Sequence, residues 1–362
     1  MANDVYDKLA DALGKLPNGF PRTPSNVEIP LLQKLFSPEE AHLASQLGAD
    51  LEPVDEISER IGIETEKVVA KLLRMAKRGL VWVEEPRGKP RFRLAPFIFG
   101  IFEFQLKRMD HQLAHLVEDY MLDGGAAGIM GVEPAIHRVV PAKGTVKTEW
   151  ILPYEDVQAI LDSAKTFRVQ DCVCRVQMDK LDRRCKFPLK VCLNYSSKER
   201  PPSRRDITRE EAMEILDKAE EVGLVHSVCN VREGGLWSHD LGIDGYICNC
   251  CGCCCALLRG ITEFGIENSV ADSIYYAEIN PEECLGCWTC IERCQVQAIS
   301  EQGGIAFVDR KRCIGCGLCV TGCPNEAAQL QRKPDTDIRQ PPLDFSAWEK
   351  ERRLNRGMAE QV

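Results

Sequence analysis

The sequence lacks several features that would assign it to common protein classes. No apolar stretch approaches the ~20 residues that span a bilayer, and residues 1–16 contain no apolar core of a secretion signal. The glycine-rich segment 123–131 has neither a dinucleotide-binding nor a Walker pattern. Basic residues are not in excess, because the net charge is −9, and this disfavours general affinity for nucleic acid. We therefore expect a cytoplasmic chain without a membrane span.

Cysteine is missing from the first 171 residues, yet 19 cysteines lie between Cys172 and Cys323. In a reducing compartment such clusters are metal ligands far more often than disulfides. The 362 residues are enough for two or three domains. The distribution therefore predicts a metal-organised second half that follows a cysteine-free first half.

The cysteine-free region predicts a small helical unit that ends in a hairpin. Ser37, Pro38 and Glu40 form a capping box with proline at the first helical position, which marks a helix start. Hydrophobic periodicity and turn residues predict the elements around it. These are helices over residues 37–47, 55–61 and 68–77 and strands over residues 80–84 and 91–94.

Three helices followed by a hairpin resemble a winged helix-turn-helix over about residues 27–96. Such a fold would place its third helix in a DNA major groove, but Glu64 and Glu66 lie at the entry of that helix. The wing is more basic and contains Arg87, Lys89, Arg91 and Arg93. We expect this unit to dock a protein, with DNA binding as the alternative.

Further helices are predicted over residues 97–120 and 153–165, and a capping box at Thr208 begins another that runs to about residue 222. The C-terminal tail carries prolines and then a charged helix near residues 347–354. Trp348 in this helix would anchor the tail in a pocket of a partner. A loosely ordered terminus is the alternative.

Eight cysteines near the C-terminus form two copies of one spacing, Cys-x2-Cys-x2-Cys-x3-Cys. Three thiolates two residues apart can wrap a loop around three corners of an Fe4S4 cube, which leaves the fourth iron pointing away. Gly286, Gly315 and Gly317 allow the tight loops and the approach of backbone amides to sulfur. Two intact copies of this spacing argue against a zinc site or disulfides at these cysteines.

The two runs resemble a bacterial ferredoxin with two [4Fe-4S] clusters. The resemblance implies that the last cysteine of each run binds the cluster of the other run. Gln295 stands where this family usually has proline, which changes a turn and not a ligand. One cluster would be held by Cys284, Cys287, Cys290 and Cys323. The other would be held by Cys313, Cys316, Cys319 and Cys294.

Eleven further cysteines lie upstream, six of them within residues 248–255. Adjacent side chains point in different directions, so one cube could hardly take all six. We expect two additional clusters, with Cys229 not a ligand; one cluster plus spare thiols is the alternative. Zinc is a third option for the 172–192 group, whose long gaps do not match a zinc ribbon. The upstream candidates are Cys172, Cys174, Cys185, Cys192, Cys248, Cys250, Cys251, Cys253, Cys254 and Cys255.

The segments LFSPEEA, CVCR and ICNCCGCCC, followed by the dicluster pattern, resemble polyferredoxin-like iron–sulfur proteins of anaerobic bacteria. The resemblance implies electron transfer in anaerobic redox metabolism. We expect a protein redox partner, such as a flavoprotein, and a hetero-oligomeric complex. The alternatives are a catalytic reductase of disulfides or thioesters and a redox-sensing DNA-binding regulator. We find no acid–base constellation beyond His226 and His239, which favours the carrier.

The predicted fold class is α+β. We expect five parts along the chain, each with its own role. These are a winged-helix-like domain (1–96), a helical linker region (97–165), a central α/β cysteine-rich iron–sulfur domain (166–272), a ferredoxin-like 2[4Fe-4S] module (273–331) and a C-terminal docking tail (332–362).

Overall fold

The computed structural model describes residues 2–84, 89–147, 152–233 and 245–358. The fold mixes helices and strands, in agreement with the predicted α+β class. Its named strands pair in antiparallel fashion. Among the described residues, no helix has the length and apolar character that crossing a bilayer requires.

The cysteine-free N-terminal region begins with five helices and a small sheet of order β1-β3-β2. The predicted capping box is confirmed, because the Ser37 hydroxyl accepts from the Glu40 amide and the Glu40 carboxylate accepts from the Ser37 amide. The helices are α1 (Ala2–Gly14), α2 (Glu28–Leu35), α3 (Pro38–Ala44), α4 (Val54–Ile61) and α5 (Thr65–Lys77). The strands are β1 (Glu52–Pro53), β2 (Val81–Glu84) and β3 (Arg91–Leu94).

The prediction of a single helix over residues 97–120 is wrong. Phe99 adopts the left-handed backbone conformation, with φ 59°, and this breaks the segment before the short helix α6 (Phe102–Phe104). Asp110 then caps a new helix, α7 (His111–Tyr120), by accepting from a backbone amide at 2.8 Å. A left-handed residue and a new N-cap each interrupt the helical hydrogen-bond ladder.

A six-stranded sheet of order β4-β8-β9-β6-β5-β7 is the largest sheet among the described residues. The capping box at Thr208 is confirmed. The helix predicted over 153–165 is shorter, because Asp156 caps it only after a separate turn. The strands are β4 (His137–Val140), β5 (Thr166–Asp171), β6 (Lys190–Ser196), β7 (Asp206–Ile207), β8 (Val225–Cys229) and β9 (Gly245–Cys250). The helices are α8 (Ala126–Met130), α9 (Val157–Asp162), α10 (Val173–Lys180), α11 (Arg209–Glu221) and α12 (Ala256–Thr262).

The C-terminal cysteine runs lie in a small module with two strand pairs. Strand β10 (Tyr275–Ile279) pairs with β13 (Ala328–Arg332), which brings the two ends of the module together. A hairpin lies between the two cysteine runs. It consists of β11 (Ile299–Gln302) and β12 (Ile305–Val308). Two short helices, α13 (Thr289–Arg293) and α14 (Leu318–Thr321), follow the cysteine loops.

The C-terminal tail folds back onto the rest of the chain through helix α15 (Phe345–Asn355). The Trp348 side chain is completely buried, and its indole N–H donates to the Ala135 carbonyl at 3.0 Å. Glu349 forms an ion pair with Arg93 on the predicted wing. Trp348 therefore anchors the tail within its own chain, and the prediction that it fills a pocket of a partner is wrong.

Candidate metal centres

Two small cavities in the C-terminal module are each lined by four cysteines. The first has apolar walls that include Ile279, Trp288 and Ala306. The second is lined by Ile299 and Ile314 among others. The outer set, around the first cavity, consists of Cys284, Cys287, Cys290 and Cys323. The inner set, around the second, consists of Cys294, Cys313, Cys316 and Cys319.

Each set takes three cysteines from one run and the last cysteine from the other. The helices α13 and α14 contact each other, so Cys294 and Cys323, which follow them, reach across to the opposite loop. The structure thus brings together the same cysteines that the ferredoxin resemblance assigns to each cluster. Their ligation of iron stays a prediction.

The loops around the inner set suit anionic sulfur ligands. The Ala277 N–H donates to Cys313 Sγ at 3.4 Å, and the Ala298 N–H donates to Cys294 Sγ at 3.1 Å. Such bonds stabilise thiolate charge where water is excluded. Gly315 has φ 68°, and a Cβ at this position would lie 2.2 Å from a backbone carbonyl oxygen. Only glycine permits so close an approach.

Burial opposes ionisation of the inner set in the absence of a cation. Desolvation raises the pKa of Cys316 to about 12, and it also raises the pKa of Cys313. In the outer set, hydrogen bonds from Thr289 lower the pKa of the exposed Cys287. A cationic iron–sulfur core would supply the positive charge that buried thiolates need. The cysteines of this module therefore fit the predicted clusters.

The upstream cysteines form two groups. The four-sulfur group joins one cysteine of the loop after α10 to three cysteines of the turn after β9. Its sulfurs all lie within 4.8 Å of one another. Hydrogen bonds from Cys253 and Cys254 hold the pKa of Cys251 far below its usual value. The members of this group are Cys185, Cys251, Cys253 and Cys254.

The six-sulfur group is a chain of thiol contacts. Cys248 and Cys250 alternate with Asn249 on β9 and so point to the same face. The register of β6 against β9 sets Leu193 opposite Ile247, and this brings Cys192 beside Cys248. In order of contact the members are Cys172, Cys174, Cys255, Cys250, Cys248 and Cys192.

The cysteines of residues 248–255 therefore divide between the two groups. Each group also takes members from the 172–192 segment, so neither segment forms a unit by itself. Cys229 lies outside both groups, in the apolar core on β8. Burial raises the pKa of its thiol.

Arg175 lies between the two upstream groups. Its buried guanidinium donates to the carbonyls of Pro188 at 3.1 Å and Asn249 at 2.8 Å. Burial alone would lower the pKa of Arg175, but the sulfurs of Cys172 and Cys251 raise it. No role was predicted for Arg175 from the sequence. Its position directly after Cys174 was the available signal.

Gln295 stands where the ferredoxin family usually has proline. It connects the turn after β9 to the ferredoxin-like module. Its Oε1 accepts from the Gly252 N–H at 2.9 Å. A Cβ on residue 252 would lie 2.0 Å from the Gln295 carbonyl oxygen. Because Gln295 directly follows Cys294 of the inner set, this contact places the upstream cysteines beside that set.

Gly252→Ala is expected to lower the free energy of unfolding by about 1–3 kcal/mol, because a clash with backbone cannot be relieved by side-chain rotation. Urea unfolding of the anaerobically purified protein would measure this loss. Gly48→Ala is the matched control, since the nearest atom to its added Cβ lies 3.8 Å away. Equal stability of the two variants would contradict the close contact.

His226, the acid–base candidate that lies within the described residues, has a structural role. His226 is buried, with Nδ1 at 2.5 Å from Asn249 Oδ1 and Nε2 at 2.9 Å from Glu220 Oε1. Both ring nitrogens are therefore engaged in structural hydrogen bonds. His239 lies outside the described residues.

Comparison with known proteins agrees with the C-terminal geometry. Residues 277–330, which contain the outer and inner sets, match the family described as a 4Fe-4S dicluster domain. No curated protein matches the chain significantly. The domain match supports an iron–sulfur protein with electron transfer as its general activity.

Proposed function

We propose that this chain is an iron–sulfur electron-transfer protein, or the electron-transfer subunit of an oxidoreductase complex in anaerobic metabolism. The observation that carries the proposal is the crossed arrangement of eight cysteines around two neighbouring cavities within the matched domain. When bound there, [4Fe-4S] clusters supply one-electron transfer at potentials set by their surroundings. The chain's own residues position, shield and expose the two sets differently.

The outer set faces solvent, and we propose this face as the docking surface for the redox partner. Cys287 is exposed, and Leu285 beside it is 77% exposed. The inner set packs against the central part of the chain, where the Ala142 N–H donates to the Cys316 carbonyl at 2.9 Å. A Cβ on Gly317 would lie 2.5 Å from Thr145 Oγ1. Among the described residues, the outer set contains the one exposed cysteine of the module, so it is the more accessible set for a partner.

Anaerobic iron and sulfide analysis with EPR of the dithionite-reduced protein tests the proposed function. We expect at least about eight irons for the C-terminal module, since each cubane holds four, and two spin systems that reduce and reoxidise reversibly. Protein that carries zinc in this module, or iron that shows no reversible reduction, would exclude electron transfer.

Glu282 and Glu283 are exposed beside the outer set, so a partner with a basic surface should be favoured. With a basic c-type cytochrome as acceptor, we expect Glu282→Gln with Glu283→Gln to slow electron transfer several-fold at low salt and to weaken its salt dependence. Stopped-flow spectroscopy would measure the rate. The control pair is Glu210→Gln with Glu214→Gln, both exposed on α11, whose rate should equal wild type. Equal slowing by both pairs would point to net charge and not to a local docking face.

We also propose that the winged-helix-like region docks a protein. Arg93 is paired with Glu349 and lies over the Trp82 ring at 4.9 Å, while Arg91 donates to the Leu51 carbonyl at 2.6 Å. These two guanidinium groups are thus engaged within the chain, which gives no support to the DNA-binding alternative. Arg87 lies outside the described residues.

A further inference from the structure

The four-sulfur group is more compact than the other cysteine sets. The Sγ atoms of Cys185 and Cys251 are 3.9 Å apart, and those of Cys253 and Cys254 are 3.7 Å apart. All four sulfurs lie within 4.8 Å of one another. Such spacing corresponds to four ligands that share a single centre.

The expected size of a tetrathiolate zinc site matches this spacing. Zinc–sulfur bonds of about 2.3 Å directed to the corners of a tetrahedron place the sulfurs about 3.8 Å apart. In a cubane each thiolate binds a different iron at the edge of a larger core, so the four sulfurs must stand farther apart.

The ferredoxin-like module provides an internal comparison. Neither the outer nor the inner set, each of four cysteines around one cavity, gathers its sulfurs within 4.8 Å among the described residues. The same chain therefore contains two kinds of cysteine arrangement. One kind is open enough for a cluster, and the other is closed to the dimensions of one ion.

We propose that Cys185, Cys251, Cys253 and Cys254 bind one Zn²⁺ ion in a closed structural site, and not an iron–sulfur cluster. Four thiolates are a ligand set that favours zinc, and zinc has no redox chemistry of its own. This site would leave the six-sulfur group as the upstream candidate for iron.

An ion at this site would connect separate segments of the chain. It would tie the loop after α10 to the turn after β9, and Gly252 in that turn is joined to Gln295 of the ferredoxin-like module. Four thiolates and one divalent cation carry a net charge of −2, which the buried Arg175 guanidinium beside Cys251 reduces. Zinc would therefore hold the upstream cysteines against the inner set.

Metal analysis of wild-type protein with zinc-edge X-ray absorption is the first test, because it requires no variant to fold. We expect about one zinc per chain with four sulfur neighbours at about 2.3 Å. Zinc bound by nitrogen or oxygen, or no stoichiometric zinc in protein produced with both metals, would overturn the proposal.

Single alanine substitutions then locate the ion. Cys185→Ala and Cys253→Ala are expected to lose the zinc and to keep the iron content and the EPR spectrum of the ferredoxin-like module. Cys229→Ala, outside both upstream groups, is the control and should retain both metals. Loss of iron with zinc unchanged in the Cys253→Ala protein would show a cluster at this position. Since the readout is zinc, the result does not depend on the proposed electron transfer.

Discussion

Replacing Cys294 with alanine is expected to abolish the EPR signal that is also lost in Cys316→Ala, although these cysteines belong to different runs. The reason is geometric, because both side chains line the inner cavity. By the same argument, Cys323→Ala should abolish the signal lost in Cys287→Ala. Each variant should lose about four of the roughly eight irons of the module. Anaerobic iron analysis and EPR after dithionite reduction would measure both effects.

Cys229→Ala is the control for this series, and its iron content and spectrum should match wild type. The crossed arrangement makes the prediction specific. If Cys294→Ala removed the signal that depends on Cys287, each run would hold its own cluster and the assignment would be wrong.

Arg352→Ala is expected to lower the free energy of unfolding by about 4 kcal/mol or more, measured by urea unfolding under anaerobic conditions. The Arg352 side chain is completely buried in α15, and its guanidinium donates to five backbone carbonyls. Each buried group left unpaired costs about 1–3 kcal/mol. The carbonyls belong to Pro17, Asn18, Ile129, Val132 and Pro134.

The neighbouring Arg353→Ala provides a matched control on the same helix. Its guanidinium is paired with the exposed carboxylate of Asp50 at 3.2 Å, and such pairs contribute at most about 1 kcal/mol. If the two variants were equally stable, the tail would not fasten the N-terminal region to the rest of the chain.

Local features were predictable from the sequence. The capping boxes at Ser37 and Thr208 depend on residues three positions apart, and the structure contains both. The prediction of a continuous helix over 97–120 was wrong because of contacts with distant parts of the chain. The Phe99 ring packs against His137 at 3.8 Å and against Tyr246 at 5.4 Å between ring centroids, and these partners are distant in sequence.

The grouping of the upstream cysteines was likewise not predictable from local sequence patterns. Their number and alternation indicated more than one centre, but not which sulfurs meet. Cys248 and Cys251 lie three residues apart and belong to different groups, because β9 ends between them and the chain turns. The contact of Gln295 with Gly252 could not be predicted either, since the two residues are 43 positions apart in the sequence.

The sequence by itself determined the chemistry of the C-terminal module, because its ligand spacing is a property of short loops. The tertiary structure alone decided how the upstream sulfurs are grouped, which of the two ferredoxin-like sets faces solvent, and where Trp348 and Arg352 are buried. These outcomes depend on strand register and on contacts between distant segments, which no local pattern encodes.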